Sequence, residues 1–306
     1  MNANTPDIIG SALVDAFAQR GYAASLPDPE TVSVTLRDGT RVQAGIREWR
    51  EHARRSAPEH LPGIAARYAD QAVRAFERNS APAPAMTDDL RVRLYPEEAL
   101  DERMRAALVT RTLAPGLVQA VVADHPDTMM PLNRADLGGA NENAVFGKAL
   151  AHSIEDEPHY IQTHDVEGVR VAHIGERHRY IGAHVHVLGR YFPGPLPYGA
   201  LLAFPVPEYV LFHGIGTDKH LVTVLATLQD LAAKHVSVGE RPITAQIYWW
   251  RPGAYEHMDE REALASGLVP DLRPVGVQID TDGEGVEVGM LTEDTGDLIQ
   301  LWLAEQ

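Results

Sequence analysis

The chain contains no cysteine, and that one absence removes several chemistries. Disulfides, thiolate zinc sites, iron–sulfur clusters and cysteine nucleophiles are excluded, and nothing asks for an oxidising compartment. Long hydrophobic runs are also missing, and no stretch nears the roughly eighteen uninterrupted apolar residues of a membrane span. The opening segment MNANTPDIIGSALVDAF has no basic start and no long apolar centre, so a secretory signal is not expected. A soluble, cytoplasmic protein is the expectation. Signature motifs are absent as well: there is no G-x-S-x-G elbow, no Walker loop, no H-E-x-x-H, and no carboxylate pair set to divide two pKa values for acid–base work.

Positive charge is scarce. Lys and Arg number 27 against 43 Asp and Glu, a net charge of −16. Residues 1–80 are neutral, with ten arginines and ten acidic residues, so the whole excess lies beyond them. Within 256–306 thirteen acidic residues face only Arg261 and Arg273. Such a region disfavours nucleic acid and anionic membranes, which need the opposite sign, and it suits a basic protein partner or simple solubility.

The 306 residues, 44% hydrophobic and 23% charged, suit one large globular domain or two ordinary ones. Ile8 to Arg20 has helical spacing, and TVSVTLRDGTRVQAG (31–45) alternates around Asp38-Gly39, a hairpin signal. Residues 46–57 and 62–78 read as arginine-rich helices, and NSAPAPAMTDD (79–89) reads as a linker. Beyond it, strands are predicted at 90–96, within 117–133, at HYIQTHD and GVRVAHI, and within 200–215, 243–250 and 275–303. Helices are predicted around 97–108, within 134–156 and over DKHLVTVLATLQDLAAKHV (218–236), whose leucines and valines share one face. The expected fold is therefore α+β, a mostly antiparallel sheet with packed helices in residues 81–306, preceded by a small helix–hairpin–helix module in 1–80.

Half of the fourteen histidines fall in residues 152–186, including the pair His184 and His186. On a strand the two rings would share a face and could share a metal; on a helix they diverge by about 200°. With nearby carboxylates, His164, His173, His184 and His186 are candidate ligands for zinc, manganese or iron, although no known ligand spacing links them. FHGIGTDKH (212–220) sits between a strand and a helix but lacks the third glycine of a phosphate loop; a turn with Thr217 or Asp218 as helix cap is expected instead. DTDGEGVEVG (280–289) lacks the ligand series of a calcium loop and reads as a hairpin turning at Asp282-Gly283. In YWWRPGAYEH (248–257), Trp249, Trp250 and Tyr255 surround Arg251, a combination enriched at binding surfaces.

The RVRLYP strand (91–96), the helix carrying Asn143, GALLAFPVPEYVL (199–211), the long helix after it and P-I-T (242–244) together resemble the bacterial cytoplasmic proteins of unknown function called YtpQ-like, over roughly residues 91–252. Position 144 is Ala where that family prefers Leu. The resemblance implies no catalytic residue, cofactor or substrate. It does imply a helix just before GALLAFPVPEYVL, with Ile181, Val185, Leu188 and Phe192 as its apolar face and the two histidines flanking it, against the strand propensity of Val185 and Val187.

The functional expectation is a non-enzymatic protein-interaction or regulatory protein, without a cofactor, meeting a basic partner through Trp249, Trp250, Arg251 and Tyr255. The alternative is a metal-dependent hydrolase holding a divalent ion at His164, His173, His184 and His186, and nucleotide binding at 212–220 is a third possibility.

Overall fold

Asp7 starts the first helix of the structure, a computed structural model that describes residues 7–36, 39, 41–80, 88–125, 128–216, 220–280 and 287–304. Its carboxylate accepts from the Gly10 N–H at 2.9 Å, capping helix α1 (Ile8–Ala18), and takes both Nη atoms of Arg50 at 2.9 and 2.6 Å. Leu13, Ala16 and Phe17, at helical spacing, are buried. Strands β1 (Ala23–Asp28), β2 (Thr31–Thr35) and β3 (Arg41–Gly45) form an antiparallel meander with β2 central, where Val32 and Val34 are buried. Asp38 of the expected hairpin turn lies outside the described residues, while Gly39 has φ +85°, the left-handed conformation such a turn uses. Helices α2 (Arg47–Arg54) and α3 (Leu61–Ser80) complete a core around Phe17, Trp49, Ile64 and Ala69. These elements make up one compact unit, Met1–Pro82, and the rest of the chain, Ala83–Gln306, makes another. Most of the expected linker lies outside the described residues.

The second unit runs β4 (Leu90–Pro96), α4 (Glu102–Ala107), β5 (Thr110–Ala114), β6 (Leu117–His125), β7 (Thr128–Pro131), α5 (Glu142–Glu155), β8 (Tyr160–Val166) and β9 (Val169–Gly175). A 3₁₀ segment, Ile181–Tyr191, follows, then β10 (Ala200–Val206), β11 (Tyr209–Gly214), α6 (Leu221–Val238) and β12 (Ile247–Arg251). It ends with α7 (Glu260–Ala265), β13 (Asp271–Val275), β14 (Val277–Asp280), β15 (Glu287–Met290) and α8 (Glu293–Leu303). Every strand pairing is antiparallel, and the fold is α+β as expected.

The large sheet has the order β13-β12-β10-β11-β9-β8. Its central strand β10 is buried at all seven positions, because both faces are covered. Leu201, Ala203, Leu211 and Trp249 point to α6, whose Leu221, Val224, Leu225 and Leu228 form the predicted apolar stripe, and to Leu298 of α8. Leu202, Phe204, Tyr248 and Trp250 point the other way, onto the 3₁₀ segment and onto Leu94, Leu113 and Leu117 of the smaller sheet β4-β6-β5, where β7 also pairs with β6. Full burial of a leucine contributes about 1.5–3 kcal/mol, so α6 is held by its stripe rather than by intrinsic propensity. Helix α5 covers the smaller sheet with Val145, Phe146, Ala149 and Leu150.

Two expectations require correction. LIQLWL reads as a strand by composition but lies in α8, whose Thr292 hydroxyl caps the Thr295 N–H at 3.2 Å and whose first turn carries Glu293 and Asp294. Its burial follows helical spacing, with Thr295 and Leu298 buried. Residues 181–191 are helical, as the YtpQ-like resemblance implies, but in 3₁₀ form and broken by Val187 (φ −126°, ψ 26°). Ile181, Val185 and Leu188 form the expected core face, yet the opposite side is buried too, because Ala183 and Val187 join the α5 core. The histidines therefore do not flank the core; His184 and His186 lie inside it. Strands β1, β5 and β13 and helix α7 were not expected, and the expected turns at Thr217–Asp218 and Asp282-Gly283 lie outside the described residues.

Candidate functional site

The 3₁₀ segment sends its two histidines to different partners. The Nε2–H of His186 donates to Gln119 Oε1 on β6 at 3.0 Å, so its Nδ1 accepts from the Tyr255 hydroxyl at 2.7 Å. His184 pairs through Nδ1 with the Tyr191 hydroxyl, its Nε2 has no partner among the described residues, and the His159 ring lies 4.3 Å away. Burial holds both imidazoles far below their ordinary value, to about 3; nearby His159, His178 and Arg190 add to the effect at His184, and Arg111 adds to it at His186. Burial also pushes the Tyr191 phenol up to about 12 and raises Tyr255. All four groups are thus neutral near pH 7 and titrate far from it, the reverse of a catalytic acid or base poised for proton transfer. They can position a hydrogen bond; as they stand they are poor proton carriers.

His164 and His173 lie elsewhere, stacked at 5.1 Å on neighbouring strands β8 and β9. Of the four metal candidates, His164 and His173 thus lie together while His184 and His186 each have their own partners, and among the described residues no three His, Asp or Glu side chains converge as a metal site. The aromatic–arginine surface does not form either. Trp249 is buried beneath α6, with its Nε1–H donating to the Tyr198 carbonyl at 2.8 Å, and Trp250 is buried on the opposite face, donating to Glu256 at 2.9 Å. Tyr255 is buried against His186, which leaves Arg251 alone exposed. Strand alternation makes adjacent tryptophans point to opposite faces; because both faces of this sheet are covered, both rings become core.

What does reach solvent is the end of the large sheet. Every residue of β8 from Tyr160 to Asp165 is exposed, and β9 is its one strand partner among the described residues. Tyr160 and Ile161 are 43% and 48% exposed on this edge, which has neither lysine nor proline. The opposite edge, β13, carries Pro274 and is bordered by α8. Natural sheets usually guard an edge with such devices, so β8 is an unguarded row of backbone donors and acceptors.

The β8–β9 turn places Glu167 (φ 54°) and Gly168 (φ 85°) both in the left-handed region, as a two-residue hairpin turn needs, and Asp165 accepts from the Gly168 N–H at 2.9 Å. Beside this turn opens a cleft of about 770 Å³ between the ends of β9 and β11, the end of the 3₁₀ segment and the start of α6. Tyr191, Phe192 and Phe212 form an aromatic wall, while Arg170, His213 and His220 supply polar lining. Neither the edge nor the cleft was foreseen from the sequence, although HYIQTHD was recognisable as a strand. Comparisons with protein-family models, curated proteins and solved structures give no match.

Proposed function

We propose that the protein is a non-enzymatic, cytoplasmic interaction protein whose second unit binds an extended, basic segment of a partner by adding it as a strand alongside β8. The observation that carries this is the exposed, unguarded β8 edge. Main-chain hydrogen bonds would supply affinity, and alternate side chains of the partner would meet the two exposed faces of β8. Asp156, Asp165 and Glu167 flank the edge without an ion-pair partner among the described residues, and the chain carries −16 overall, so a basic segment is favoured over an acidic one or a nucleic acid. Support for a non-enzymatic role comes from the buried imidazoles and phenols, which burial keeps uncharged near pH 7. A cysteine-free chain suits the cytoplasm, and no described helix is long and apolar enough to cross a membrane. Kinship with the YtpQ-like proteins over roughly residues 91–252 belongs to the same proposal and adds no ligand.

Affinity capture from lysate of the native cells tests it, using the full chain and an Ile161→Lys/Gln162→Lys variant. Both positions are exposed, so the variant should unfold at the same temperature as the parent while placing two like charges against a basic strand. The parent should retain a stoichiometric partner that salt weakens, and the variant should lose it. Equal retention by the variant, or no partner at any salt concentration, refutes strand addition at β8.

A further inference from the structure

The cleft beside the β8–β9 turn has two chemically distinct sides. On one, Phe192 is pinned by stacking over Trp250 (6.1 Å, 15°) and meets Phe212 edge-on at 5.4 Å, with Tyr191 next to Phe212. These contacts fix an apolar wall of mutually tilted rings before any ligand arrives, which lowers the ordering cost of binding. On the other side stands Arg170, exposed and without an ion-pair partner among the described residues. Its cross-strand neighbour Asp165 accepts a backbone N–H at the turn instead of pairing with it. His213 Nδ1–H donates to the Arg170 carbonyl at 2.8 Å, which fixes the ring beside the guanidinium and leaves Nε2 as an acceptor for a ligand N–H or O–H. His220 and Thr223, at the start of α6, complete this side. Among the described residues, Glu167 is the one acidic side chain in the lining. An unpaired guanidinium and two imidazoles thus stand opposite an aromatic wall in a cavity sized for a small molecule.

We propose that this cleft binds a small aromatic carboxylate, its ring against Phe192 and Phe212 and its carboxylate held by Arg170. The guanidinium supplies paired, charge-assisted donors that match a carboxylate, and the aromatic wall supplies the apolar contact. This site stands independently of strand addition at β8, since it requires no partner protein.

The test is isothermal titration calorimetry of the full chain with naphthalene-2-carboxylate and with its uncharged counterpart, 2-naphthalenemethanol. The carboxylate should bind saturably at one site, and the alcohol at least about tenfold more weakly. Arg170→Gln should weaken the carboxylate by a similar factor, since an exposed arginine can be replaced without disturbing the core. Phe192→Leu should weaken both compounds. Arg177→Gln, an exposed arginine that is not part of the cleft lining, should bind as the parent does, and so should the Ile161→Lys/Gln162→Lys variant that abolishes strand addition. Absence of saturable binding, equal affinity for acid and alcohol, or undiminished binding by Arg170→Gln would each overturn the assignment.

Discussion

His186 links the buried network to a measurable pH dependence. Folded, its ring is buried and its pKa is lowered to about 3; unfolded, it has the ordinary value of 6.5. Between these values the unfolded chain takes up a proton that the folded chain refuses. The stability contributed by the neutral ring is therefore complete above pH 6.5 and is lost as pH falls toward 3. At 1.36 kcal/mol per pH unit, the loss by pH 5 amounts to roughly 2 kcal/mol. Urea unfolding of the parent and of His186→Gln, both carrying Trp49→Phe, measures it. In that background Trp249, Trp250 and Trp302 report on the second unit alone. Removing hydrogen bonds to Gln119 and Tyr255 will itself cost the variant about 1–3 kcal/mol near neutrality. The informative quantity is the fall in stability from about pH 7.5 to about pH 5, expected to be larger in the parent by roughly 2 kcal/mol. His184 is present in both proteins and cancels. Equal falls would refute the claim that burial keeps His186 neutral.

Ser153 is buried, accepts the Val92 N–H at 2.8 Å and donates to the Ala149 carbonyl at 2.8 Å. Ser153→Ala leaves that N–H without an acceptor and should cost about 1–3 kcal/mol in urea unfolding; a loss below the error of the measurement would contradict the pairing. Gly199 has φ +75° with the Trp250 carbonyl lying where a Cβ would stand, so Gly199→Ala should lower the thermal midpoint clearly, whereas Gly194→Ala, with open space around it, should not. Similar midpoints for the two variants would show that the β10–β12 approach does not require glycine.

Where local pattern and tertiary environment agreed, the fold was legible in the sequence. The leucine and valine stripe of α6 and the alternation around the β8–β9 turn each carry their own period. Helix α8 was misread because LIQLWL has the composition of a strand, and the information that overrules it lies upstream, in the Thr292 cap and its acidic first turn. The histidine pair shows a different limit. Apolar spacing announced a helix with one core face at Ile181, Val185 and Leu188, but periodicity cannot report what covers the other side. The groups that satisfy His186, Gln119 and Tyr255, are 67 and 69 residues distant. The same holds for the edge: HYIQTHD is visibly a strand, yet its place at the end of the sheet follows from β9 pairing with β11 across the 3₁₀ segment and β10. The cleft, drawn from residues between 163 and 224, inherits that non-sequential order.

The 3₁₀ segment has a consequence for how the second unit comes apart. It is a pin common to two cores: Ile181, Val185 and Leu188 belong to the layer beneath the large sheet, Ala183 and Val187 to the layer beneath α5. Neither sheet can peel away without stripping the pin's other side and exposing apolar surface in both layers. Partial opening is penalised twice, so the two sheets should melt as one cooperative block rather than in succession. Strand β8, for all its exposed backbone, hangs from a support that does not fray layer by layer.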